Sequence, residues 1–100
     1  MSKATVGDFI VDRLQQWGID RVFGYSGDGI NGVMSALRRN DGVTLVQPRH
    51  EELAAFMACG HAKYTGRPGA VVTTSGPGAI HALNGLYDAA KDHMPVVAVV

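Results

Sequence analysis

The sequence predicts an α/β fold, a parallel β-sheet with helices on both faces. Two observations carry that prediction. Four β-rich runs, near residues 22, 44, 71 and 97, alternate with single helical segments, the rhythm of strand–helix–strand crossovers. The joints after the first and third runs, Gly24-Tyr25-Ser26-Gly27-Asp28-Gly29 and Ser75-Gly76-Pro77-Gly78, are rich in glycine, as tight strand-to-helix turns require.

Taken in order, Thr5 followed by Asp8 marks a helix start. Val6, Phe9, Ile10, Leu14 and Trp17 then recur mostly at three- and four-residue spacing until Gly18. Arg21 to Phe23 is a short extended segment opening into the first glycine loop. Ile30, Val33, Met34 and Leu37 resume helical spacing beyond it. Val43 to Val46 is the second strand, ended by Pro48. Glu51 to about Lys63 is a small-residue helix stopped near Gly66. Ala70 to Thr74, Ala79 to Ala90 and Pro95 to Val100 supply the third strand, the fourth helix and the fourth strand. The run Val96-Val97-Ala98-Val99-Val100 reads as a buried central strand, which carries the expectation of a chain that continues beyond it.

One hundred residues allow one domain or part of one. Nine Lys and Arg balance nine Asp and Glu, so no electrostatic footprint exists for nucleic acid or an anionic membrane, and the expected partner is a small molecule or a protein. The lone thiol, Cys59, cannot form an internal disulfide, and no apolar stretch is long enough for a membrane helix, so the chain reads as cytoplasmic. His50, His61 and His93 form no metal-ligand spacing with each other or with Cys59, and no metal is assigned.

In an open parallel sheet, ligands bind beyond the carboxyl ends of the strands. The loops predicted there are Gly24 to Gly29, Gln47 to Glu51 and Ser75 to Gly78. The first fits neither the dinucleotide fingerprint nor the P-loop, so a ligand cradle and a plain tight turn both stand. Glu51 falls in the first turn of its helix, where the helix dipole favours its charge and desolvation in a cleft opposes it; an ordinary helix-start acid is the alternative. Glu52, about 100° further round the helix, is expected to be a solvated or packing acid. His81 is placed in the first turn of the fourth helix, where the dipole would keep its imidazole neutral.

Together, Val22-Phe23-Gly24-Tyr25-Ser26-Gly27, Arg49-His50-Glu51-Glu52, Ala62-Lys63-Tyr64-Thr65-Gly66-Arg67-Pro68-Gly69, Thr74-Ser75-Gly76-Pro77-Gly78-Ala79 and Asp92-His93-Met94-Pro95-Val96-Val97 resemble the pyrimidine-binding domain that opens thiamine-diphosphate enzymes of the pyruvate oxidase, quinone-linked pyruvate dehydrogenase and acetolactate synthase group. The resemblance covers nearly all of the chain. It implies that residues 1–100 are the N-terminal part of that domain, with middle and diphosphate-binding domains lying outside it. Gly27-Asp28-Gly29-Ile30-Asn31-Gly32 and His81-Ala82-Leu83-Asn84-Gly85-Leu86-Tyr87-Asp88 are similar to the oxidases in particular. Ser26 and Gly29 depart from them, standing where Pro and Ser are frequent.

The resemblance implies decarboxylation of a 2-oxo acid, pyruvate foremost, followed by oxidation of the enamine. An acetolactate-synthase-type carboligase and a non-catalytic assembly domain are the alternatives. It makes Glu51 the acid that activates the cofactor, its carboxyl neutral or sharing a proton in a dry cleft, and places His81 on the substrate side. Ser26, Gly27, Asp28, Gly76, Pro77 and Gly78 join Glu51 around thiamine diphosphate. Magnesium and FAD are implied for the full-length enzyme through its other domains, as is a homodimer or homotetramer. The Gly-Asp-Gly of Gly27 to Gly29 is set aside as a metal motif, because Leu53 to Ala58 stand where its asparagines would be.

Overall fold

The computed structural model describes residues 4–100. Its elements are α1 (Val6–Gln16), β1 (Arg21–Gly24), α2 (Asn31–Arg39), β2 (Thr44–Val46), α3 (Glu51–Thr65), β3 (Gly69–Val72), α4 (Pro77–Lys91) and β4 (Val96–Val99), with a 3₁₀ turn at Asp28–Ile30 leading into α2. The four strands form one parallel sheet in the order β2-β1-β3-β4. This is the predicted α/β architecture.

Local chemistry sets the boundaries. Thr5 and Asp8 form a capping box, Thr5 Oγ1 accepting from the Asp8 amide at 3.1 Å and Asp8 Oδ2 from the Thr5 amide at 2.9 Å. Gly66 ends α3 in the left-handed conformation, φ 72°, which costs glycine little. Pro77 occupies the first turn of α4, where its missing N–H costs nothing and its fixed φ suits the helix. The fourth helix therefore begins two residues earlier than its apolar spacing suggests.

Alternation along the strands sorts the core to two faces. On one face Val22, Ala70 and Val72 pack with Val11 and Leu14 of α1 and Val33 and Leu37 of α2. On the other, Phe23 and Val71 pack with Ala54, Ala55 and Ala58 of α3 and Ala82 of α4. Small residues let the second pair of helices approach closely, with Gly85 of α4 directly against Ala55 and the Phe56 amide of α3. β4 pairs with β3 alone and is half-buried, so within this chain it is an edge rather than the central strand its composition suggests. Among the described residues no helix is long and apolar enough to cross a membrane.

The strand order has a functional corollary. From β1 the chain moves outward to β2, then returns past β1 to β3, so the topological switch lies between β1 and β3. A crevice opens beyond the carboxyl ends of strands that diverge in this way.

Candidate functional site

The loops after β1 and β3 flank that switch point, and Thr74 joins them: its Oγ1 accepts from the Gly29 amide at 3.2 Å. Gly27 lies so close that a methyl group there would meet Thr74 Cβ at 2.6 Å, so the first glycine loop needs its bare backbone at this position. Gly76 precedes α4 with φ 72° and ψ −124°, a conformation that strains any residue with a side chain.

Glu51 opens α3 beside this loop pair. Its Oε1 lies 3.1 Å from His81 Nδ1, and its side chain is only 15% exposed against 46% for His81. A methyl group at Gly78 would stand 3.4 Å from Glu51 Oε2, so glycine keeps open the space beside the second carboxylate oxygen. Burial pushes the Glu51 carboxyl upward. A hydrogen bond to its own backbone amide, the hydrogen bond from His81 and the charges of His81 and His50 outweigh this, leaving it below its ordinary value. In this chain the acid is therefore poised ionised, and the neutral form expected from the sequence would need further exclusion of water.

His50 caps α3 with its side chain, Nδ1 accepting from the Glu52 amide at 3.1 Å, and its ring lies 4.5 Å from that of His81 at 30°. Glu52 is half-buried and not a freely solvated acid. Its Oε2 accepts from Asn84 Nδ2 at 2.6 Å. His81 is the fifth residue of α4 because the helix starts at Pro77, so it sits past the turn where the free amides concentrate the dipole.

Glu51, Gly78 and His81 thus meet directly, and Gly27 and Gly76 shape the loops beside them. Asp28 is exposed at the start of the 3₁₀ turn, Pro77 is exposed at the head of α4, and Ser26 lines a separate cleft with Arg38 and Gln47 on the β2 side. His50, Thr74 and Asn84 stand within the motifs that carry the resemblance, but the sequence pattern gave them no site role. Local spacing could not reveal partners more than thirty positions apart.

His50, Glu51 and His81 each offer a ligand atom, all within 4.8 Å of one another. Two features are unfavourable to a cation here. The His50 Nδ1 lone pair is already engaged by the Glu52 amide, and the positive end of α3 lies at His50 and Glu51. A largely shielded carboxylate with one oxygen held and the other beside the space at Gly78 can instead exchange a hydrogen bond with a group placed there.

Comparison with known proteins bears on the family to which this site belongs. YdaP of Bacillus subtilis (strain 168), provisionally named as a thiamine pyrophosphate-containing protein, is 46% identical over 99% of this chain. Pyruvate oxidase of Lactiplantibacillus plantarum is 42% identical over 94%, and chloroplastic acetolactate synthase 2 of Brassica napus 40% over 92%. The chain spans 17%, 16% and 14% of these relatives' respective lengths. The family model for the thiamine pyrophosphate enzyme N-terminal TPP-binding domain matches residues 4–100. With that match running along every element that builds the Glu51 site, the chain belongs to the thiamine pyrophosphate enzyme family, as its N-terminal TPP-binding domain.

Proposed function

We propose that Glu51 is the cofactor-activating acid of an enzyme that decarboxylates a 2-oxo acid, pyruvate foremost, with an oxidation as the product-forming step. The supporting observation is the asymmetric setting of its carboxylate: Oε1 held by His81 Nδ1 at 3.1 Å, Oε2 beside the space that Gly78 leaves open. Thiamine diphosphate, when bound, supplies the electron sink that lets a 2-oxo acid lose carbon dioxide. Gly78 and Gly76 would give the aminopyrimidine room against the head of α4, and Ser26, Gly27, Asp28 and Pro77 complete the surrounding loops. Glu51 would hold and return a proton at the ring nitrogen N1′. Displacing water from the cleft raises its pKa, as that exchange requires. His81 would keep the Glu51 carboxyl oriented and offer its exposed edge toward the substrate.

The oxidase reading draws on the likeness to pyruvate oxidase and on the stretch His81 to Asp88. The carboligase reading is kept because the acetolactate synthase likeness is nearly as high. Magnesium, FAD and a homodimer or homotetramer belong to the full-length protein in this reading, which places it in the cytoplasm. Incubating that protein with thiamine diphosphate, magnesium and pyruvate separates the cases. Carbon dioxide release coupled to reduction of an acceptor dye is expected. Acetolactate without dye reduction would make it a carboligase, and no carbon dioxide release would end both.

A further inference from the structure

We propose that Glu52 and Asn84 are positioning residues that hold Glu51 against His81. Adjacent residues of a helix project about 100° apart, so a single neighbour seldom contacts both. Here α4 crosses the first turn of α3 and receives both acids: Glu51 reaches His81, and Glu52 reaches Asn84, three residues further along the same face of α4. The two contacts form consecutive rungs between the helices. The outer rung is the shorter, 2.6 Å against 3.1 Å, and is a charge-assisted hydrogen bond of an amide to a half-buried carboxylate.

Glu52 also acts through its backbone. Its amide donates to His50 Nδ1, which fixes the ring that lies 4.5 Å from His81. One residue therefore ties down α4 through its side chain and the flanking imidazole through its N–H. Packing at Ala55 and Gly85 keeps the two helices together without the outer rung, but the start of α3 is then free to shift against the second turn of α4, and the exposed His81 side chain can draw away from Glu51.

This inference rests on the Glu51–His81 contact and not on the cofactor reading, and an NMR titration of the Glu51 side-chain carbon in the ligand-free protein tests it alone. The titratable groups around Glu51 are His81, His50 and Glu52, and its contacts with His81 help hold its carboxyl low. Removing a neighbouring negative charge by itself lowers the Glu51 midpoint further, whereas losing the His81 contact raises it. The sign therefore separates the two effects. Asn84→Ala, which changes no charge, should raise the midpoint, and Glu52→Ala should raise it against the charge effect. Glu52→Gln, whose amide oxygen still accepts from Asn84, should leave it at or below the wild-type value. A general loss of stability does not move a midpoint read in the folded state. If both alanine variants fold and leave the midpoint unchanged or lowered, the proposal is overturned; if Glu52→Ala does not fold, Asn84→Ala decides. Failure here leaves Glu51 free to serve the cofactor, and failure of the cofactor assays leaves the rungs in place.

Discussion

At the scale of single residues, the chemistry turns on an acid pulled two ways. Burial favours the neutral form of Glu51, while its own amide, His81 and His50 favour the carboxylate and prevail in this chain. A group whose folded pKa lies below its ordinary 4.5 adds stability that is complete above that value and fades as pH falls through the lowered one. The stability advantage of wild type over Glu51→Gln, measured by denaturant melts, should therefore shrink as pH drops below about 4.5; a constant gap would place the lowering elsewhere. His81→Ala frees Oε1 and removes the edge proposed to face the substrate. In the full-length enzyme it should lower kcat or raise KM for the 2-oxo acid, and unchanged steady-state kinetics would remove His81 from the site. Glu51 and Gly78 stand at strand-to-helix joints and His81 in the helix after one, so the sequence could place the three near one another. Thr74 and Asn84 fall within its motifs, but it could not give them contacts, because their partners Gly29 and Glu52 come from other segments.

At the scale of elements, α3 and α4 carry the site, and their closeness depends on Gly85. A methyl group there would lie 2.7 Å from the Phe56 amide nitrogen and the Ala55 carbonyl carbon, atoms of a helix backbone that cannot turn aside. Gly85→Ala should destabilise the fold by about 1–3 kcal/mol despite alanine's better helix propensity, read as a lower denaturation midpoint. A stabilised variant would mean that the helices are not in register as described. Much at this scale was legible. The Thr5–Asp8 pair announced the start of α1, and Gly66 the end of α3. Apolar periodicity begins at Ala79 and predicts the start of α4 there, whereas the helix begins at Pro77, whose fixed φ and missing N–H suit a first turn. That shift moves His81 out of the first turn and weakens the argument from the helix dipole.

For the whole molecule, strand alternation fixed the parallel sheet but not its order, since register and neighbours are set by packing between distant segments. The order β2-β1-β3-β4 puts the switch point between β1 and β3, with Glu51 and His81 beside it. Leu53 on α3 and Ile80, Leu83 and Tyr87 on α4 are more than a third exposed on the same helix pair, an apolar surface that fits the proposed association of copies. Sedimentation of the full-length protein should show a dimer or larger species, and Leu83→Glu should shift it toward monomer; a wild-type monomer at all concentrations would contradict the assembly. The central claim concerns the assembled enzyme with thiamine diphosphate bound, and its most direct test is exchange of the cofactor's C2 proton, followed by NMR after quenching from deuterated buffer. Glu51→Gln keeps the size of the side chain and removes the proton that must move, so exchange should slow by about 10² to 10⁴, while Asp41→Asn, in an exposed turn away from the site, should leave it unchanged. Equal rates in wild type and Glu51→Gln, with the cofactor still bound, would contradict the account.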